Sequence, residues 1–216
     1  MHKRNADRGD TMSEPMKTQV TCPKCQAAGK AEIWTNVNSA ENPNEAQWLI
    51  DGFLFQYECP ECGHVSTLNH DCLYHDAGNR AFILYVAEAF KAHDALAALE
   101  ARAPKGYRVR LVDSREALRE KAAILRDGLD DRAVEVAKLA AYNKFAEEGA
   151  LDRSARAYYG ALDEDGGIIV EFVSASGTTE TTVPRDIYDG IAASFTDVEP
   201  SIVDRTWATQ VLNLWK

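Results

Sequence analysis

The chain has 216 residues, 45% of them apolar, and carries 24 basic against 34 acidic side chains for a net charge of −10. That is enough apolar material for one large core or two small ones, and the acidic balance repels phosphate backbones unless positive charge is concentrated in a patch. No run approaches the roughly 18 apolar residues of a membrane span, residues 1–16 lack the apolar stretch of a secretory signal, and five cysteines suit a reducing compartment better than a disulfide framework. A cytoplasmic location is expected, with no membrane partner.

Residues 1–16 are polar and aperiodic and read as a disordered leader, with Met12 and Met16 as alternative translation starts. A strand is expected over 18–21, leading into the first cysteine turn. A second, over 31–37, alternates apolar and polar residues. Pro43 opens a short helix over 44–50, with Ala46, Leu49 and Ile50 inward, and Gly52 ends it. Strands over 53–58 and 64–68 flank the second cysteine turn. The apolar run 80–87 suits a strand covered on both faces.

Helical pattern occupies 91–102, and Pro104 and Gly106 punctuate it. A strand over 107–112 places Tyr107, Val109 and Leu111 on one face. Ser114 stands as N-cap of a helix with Leu118, Ala122 and Leu125 on one stripe, stopped by Gly128. Asp130 and Asp131 begin a longer helix to about 148, where acidic groups complement the helix dipole. A domain boundary is expected at 149–153. Beyond it, Asp163-Glu164-Asp165-Gly166-Gly167 joins strands 156–162 and 168–173 as a hairpin. A third strand (178–183), a helix from Pro184 to about 194, and a last helix from near Pro200 complete a small βββαα unit. That last helix carries Val203, Trp207, Val211 and Trp215 on one stripe.

The chemistry concentrates in Cys22-Pro23-Lys24-Cys25 and Cys59-Pro60-Glu61-Cys62-Gly63. Two thiolates three positions apart grip one ion from a single turn, and two such turns supply the four soft ligands of a tetrahedral zinc site. The prolines preset φ for each turn. The 33 residues between Cys25 and Cys59 exceed the roughly 15–20 of a compact zinc ribbon. An inserted strand and helix between two knuckles accounts for the excess. The competing readings are a redox dithiol, which needs only one pair and normally opens a helix, and unpaired structural thiols. A catalytic zinc keeps an open position, whereas four cysteines close the shell, and no HExxH or HxE pattern accompanies them.

Cys72 is left over and reads as a small buried hydrophobe. His64, His70 and His75, with Asp71 and Asp76, offer either a second metal or acid/base site centred on His75–Asp76, or simply turn and capping residues. The mildly basic stretch, residues 104–160 with 12 basic and 10 acidic groups, contains Lys105, Arg108, Arg110, Arg115 and Arg119. It reads as a solvated face with i,i+4 partners, or else as a nucleic-acid surface if those cations share one side. No GxGxxG, P-loop, GxSxG or SxxK pattern is present.

With these motifs the chain resembles the CpXC-domain proteins, named for two Cys-Pro-x-Cys motifs. Leu73-Tyr74-His75-Asp76 and Asp127-Gly128-Leu129-Asp130-Asp131-Arg132 resemble segments downstream of the cysteines in that family, and the likeness covers residues 20–142. Val203-Asp204-Arg205-Thr206-Trp207-Ala208 is similar to the tail of some members. Gln26 replaces the glycine often found after the first pair, which bears on the tightness of that turn. The resemblance implies metal binding through the four cysteines and no particular activity. His75, Asp130 and Asp131 become residues to locate.

The expectation is therefore an α+β protein with a zinc-ribbon-like β-unit carrying an inserted strand and helix, a helical layer, and a small C-terminal βββαα unit. The expected divisions are a leader over 1–16, a zinc-binding domain over 17–148 and the C-terminal unit over 150–216. Zn2+ is the expected cofactor, structural, on Cys22, Cys25, Cys59 and Cys62. The expected role is a non-enzymatic module that binds another protein. The alternatives are an enzyme of hydrolytic or redox chemistry at His75–Asp76, and a nucleic-acid-binding ribbon.

Overall fold

In the computed structural model, which describes residues 14–152, 154–196 and 199–215, a mixed α+β chain is built around two neighbouring helices. These are α3 (Arg115–Arg126) and α4 (Asp131–Glu147). The expected leader falls, up to residue 13, outside the described residues, and Met16 already belongs to the first strand. Among the described residues, no helix is long and apolar enough to cross a membrane.

Strands β1 (Met16–Thr21) and β2 (Ala28–Ile33) form an antiparallel hairpin around the first cysteine turn. The strand expected over 31–37 breaks at Trp34-Thr35. Its second half, β3 (Asn36–Asn38), leaves the hairpin and runs parallel to β6 (Cys72–Asp76). Burial drives the break. Val37 is fully buried in the main core, whereas Ala31 packs with Cys22, Tyr57 and Cys59. One straight strand could not serve both cores. Helix α1 (Pro43–Asp51) comes next, with Ala46 and Leu49 buried and Gly52 closing it at φ 84. The N–H groups of Phe53 and Leu54 still bond to Trp48 O, so the strand expected from 53 starts late, as β4 (Gln56–Glu58), paired with β5 (Val65–Thr67).

The main sheet runs β3-β6-β7-β8, with β7 at Ala81–Tyr85 and β8 at Arg108–Val112. Strand β6 was not expected from the sequence. It pairs antiparallel with β7 and alternates buried and half-buried residues. β7, expected to be covered on both faces, also alternates: Ala81, Ile83 and Tyr85 are buried, while Phe82 and Leu84 are half-buried. A 3-10 turn (Ala89–Lys91) and α2 (Ala92–Glu100), which has no buried residue, cross over to β8.

Helix α3 is the wall between two cores. Leu118, Ala122 and Leu125 pack on the main sheet, and Ala123 and Ile124 pack on the other side. There they meet Ala133, Val134 and Ala137 of α4, and Ile168, Val170 and Phe172 of a three-stranded sheet. That sheet is ordered β11-β10-β9, from β9 (Arg156–Leu162), β10 (Ile168–Ser174) and β11 (Gly177–Val183). Helix α5 (Arg185–Ala192) seats Tyr188 in the same core. Helix α6 (Arg205–Leu214) starts later than expected, because Asp204 accepts the Trp207 N–H as its N-cap, and it buries Ala208 against Val136 and Leu139.

Buried charge is the feature that pattern reading missed. Asp131, expected as a first-turn acid complementing the dipole, is 2% exposed and takes a bidentate bond from Arg110 (2.8 and 2.9 Å) and one from Lys121 Nζ (2.9 Å). Burial pushes the Asp131 carboxyl up, but Lys121 and Arg110 outweigh it and hold the group well below the ordinary carboxylate range. Arg110 also donates to Glu199 Oε2 (2.8 Å) and Pro200 O (2.7 Å). Lys138, 4% exposed, bridges Glu135 and Glu120 at 2.8 Å each.

Replacing Asp131 leaves the buried Lys121 without its counterion and Arg110 with Glu199 alone, and losing one partner of a buried pair costs about 3–5 kcal/mol. Asp131→Asn is therefore expected to lower the unfolding free energy by that amount in denaturant melts near neutral pH. A group with a depressed folded pKa contributes above its ordinary value, about 3.9, and loses that contribution as pH falls below it. The gap between variant and wild type should thus narrow in acid. A loss under about 1 kcal/mol at neutral pH would contradict this role.

Candidate metal centre

The two cysteine turns are the same structure built twice. In the first, Cys22 N–H donates to Ala27 O and Gln26 N–H donates to Cys22 O, both at 2.9 Å. In the second, Cys59 N–H donates to His64 O and Gly63 N–H to Cys59 O, again at 2.9 Å. Gly63 has φ 65, and Gln26, at the equivalent position, has φ 61. The departure from glycine therefore leaves the turn as tight as its twin. What changes is that a residue with a side chain occupies the left-handed region, at a cost of about 1–2 kcal/mol. The Gln26 amide donates back to Pro23 O at 3.2 Å.

The two turns face each other and interleave their sulfurs. The four Sγ atoms lie within 4.8 Å of one another, with Cys22–Cys62 and Cys25–Cys59 at 3.7 Å each. All four are free thiols. A metal with bonds of about 2.3 Å to four sulfurs in a tetrahedron sets them about 3.8 Å apart, a spacing the two cross-turn pairs match. Among the described residues, this is the group of potential ligands that could hold a metal ion.

Burial and charge are uneven across the cage. Cys22 and Cys59 are 0% and 1% exposed, while Cys25 is exposed and Cys62 half-buried. The Cys25 N–H lowers the Cys22 thiol most, burial opposes it and the Lys24 N–H adds to it, for a pKa of about 6. At Cys25 the Ala27 N–H pulls down, but the Cys62 sulfur, burial and the other two sulfurs push the thiol up to about 12. Crowded sulfurs ionise one at the expense of the next, and a bound dication removes that competition.

Tyr57 packs on the cage beside Cys22, Ala31 and Cys59, and its buried hydroxyl has no hydrogen-bond partner. That hydroxyl lies 2.1 Å from where a Cβ on Gly29 would stand. Gly29 is thus needed for close approach rather than for its backbone angle. Neither residue was singled out by motif reading, because the contact joins strands distant in sequence.

The remaining candidates do not gather. His75 and Asp76 are consecutive on β6 and so project from opposite faces of the sheet. His75 stacks on Phe82 with centroids 4.5 Å apart, and burial lowers its pKa more than Asp76 and Glu41 raise it. Asp76 is buried and accepts from Asn79 N and Nδ2 at 2.9 Å each, closing the β6–β7 turn. His70 stacks on Phe55 at 4.7 Å, and Asp71 accepts the Ala87 N–H. Cys72 is fully buried, and burial alone pushes its thiol up to about 12. Asp130 caps α4 through the Arg132 N–H.

Several cations of the basic stretch are spent internally. Arg110 and Lys121 meet Asp131, Arg115 donates to Leu68 O and Arg119 to Ile50 O. The expected i,i+4 pairing gives way to partners on other elements.

Two matched cysteine turns on a mixed α+β body bring together four sulfurs that could hold a metal ion. A family model described as CpXC protein matches residues 20–138, more than half of the chain, and the chain belongs to that family. No curated protein and no solved structure matches it.

Two predictions test the local geometry. Gln26→Gly relieves the left-handed side chain and is expected to stabilise the protein by about 1 kcal/mol. Its thermal midpoint should rise, and an unchanged or lower midpoint would contradict the strain. Gly29→Ala forces Tyr57 off the cage at a cost of about 1–3 kcal/mol, as over-packing does. Adding Tyr57→Phe removes the clashing oxygen, so a double-mutant cycle should return most of that loss; additive effects would refute the contact.

Proposed function

We propose that this protein is a non-enzymatic interaction module in which one structural Zn2+, held by Cys22, Cys25, Cys59 and Cys62, clasps two β-turns into a zinc-ribbon-like unit. The observation that carries the reading is the cage itself: four sulfurs within 4.8 Å, with cross-turn spacings of 3.7 Å. An all-thiolate tetrahedron favours zinc, or iron in second place, and leaves no vacant position for a substrate. The hairpins have only a small core of their own, around Ala31 and Tyr57, so the metal supplies what packing does not. The separation of His75 from Asp76 weighs against an enzyme there, and the internal use of Arg110, Arg115 and Arg119 weighs against a nucleic-acid face.

A protein partner is supported by apolar exposure beside the second turn. Trp48, Phe53 and Val65 are 48%, 57% and 50% exposed along the segment that runs from α1 into β5. Where such residues form one contiguous patch, they mark an interaction surface.

Metal analysis of the purified protein should find one zinc per chain. Cys59→Ser should release it and lower the thermal midpoint, since site energies in small zinc domains are on the order of 10 kcal/mol and are folding energy. Iron in the cage, or an unchanged midpoint, would overturn the structural-zinc reading. A partner captured by the wild-type protein should be lost with Phe53→Ser while the zinc stays bound. Retention by that variant would move the interaction elsewhere.

A further inference from the structure

Where β8 ends and α3 begins, two adjoining cavities of about 280 and 350 Å³ open, and Asp113, Ala117, Glu135 and Lys138 line both. They share no residue with the cysteine cage. Their common floor is rigid. Lys138 and Glu135 are 4% and 8% exposed, and Lys138 is fixed between Glu135 and Glu120 at 2.8 Å each. Glu120 also accepts the Tyr159 N–H, so α3, α4 and β9 are tied together beneath the opening.

Above that floor, three charges line the first cavity with no ion pair among the described residues: the Asp113 carboxylate and the guanidinium groups of Arg156 and Arg205. The Arg205 guanidinium carbon sits 3.9 Å from the Tyr142 ring centroid, a cation–π contact that leaves its N–H groups available. In a chain with ten more acids than bases, unpaired arginines do not reflect a shortage of carboxylates. Opposite charges that face one cavity without meeting each other are complementary to a molecule that carries both signs. The second cavity continues past Leu111, Val112 and Val203, an apolar extension that Glu120, Lys121 and Asp204 also border.

We propose that this cleft binds a small zwitterion of the amino-acid class. Its carboxylate would be held by Arg156 and Arg205, its ammonium group by Asp113, and its side chain by the apolar extension. Guanidinium–carboxylate pairs of this kind give both affinity and orientation. The site is independent of the metal and goes beyond the interaction role proposed above.

The test is an amide NMR titration of the zinc-loaded protein with a mixture of the proteinogenic L-amino acids, and then with the single members. Each binder is compared with its decarboxylated amine and its deaminated acid. Saturable shifts at Ser114, Leu139 and Ala157 are expected, with both half-charged analogues weaker by about tenfold or more. Arg156→Gln and Asp113→Asn, both at exposed positions, should each weaken binding by a similar factor while leaving the thermal midpoint unchanged. Absence of saturable shifts at millimolar ligand would overturn the proposal. So would equal binding of the deaminated acid, or Arg156→Gln binding like wild type.

Discussion

The Asp131 carboxylate is the tie on which the packing of the body depends. It lies at the start of α4, yet its partners come from β8 (Arg110) and α3 (Lys121), so one acidic group joins the sheet to both central helices. Two cations around one carboxylate leave positive charge over, and Glu199 on the Arg110 fork takes part of it up. A buried network of this kind is a weak source of net stability, because desolvation consumes most of the attraction. Its value lies in uniqueness. An apolar helix pair could slide in register, whereas a bidentate guanidinium–carboxylate bond cannot.

The metal centre is built on a different principle. The knuckles are held by backbone bonds repeated at equivalent positions, and the side chains between them contribute little area. The body is therefore held by packing and fixed polar contacts, whereas the hairpins bring together four sulfurs that could hold a metal ion. A metal bound there would add a second source of folding energy, one sensitive to acid and chelators.

Local signals were legible in the sequence and non-local ones were not. The cysteine turns, the Ser114 cap, the Pro43 start and the hairpin at Asp163–Gly167 all depend on residues within a few positions of one another, and all stand where the pattern put them. The Arg110–Asp131 bond spans 21 positions, and nothing in either neighbourhood announces it. Strand β6 was hidden by its own composition: Cys72, His75 and Asp76 drew a chemical reading that masked a plain alternation of buried and half-buried positions. The strand expected over 31–37 failed where its alternation is interrupted, at Ile33-Trp34 and Thr35-Asn36, because the chain changes sheet there.

That change of sheet shapes how the protein can be divided. Strand β3 lies in the segment between the two cysteine turns, yet it occupies the outer edge of the main sheet, and Ser39 N–H and Leu73 N–H extend its ladder with β6. An unpaired edge is a template for strands from other chains. The cysteine hairpins and the body are therefore joined through β3: a cut that releases the hairpins together with the stretch between them strips β6 of its neighbour on that side and exposes its edge.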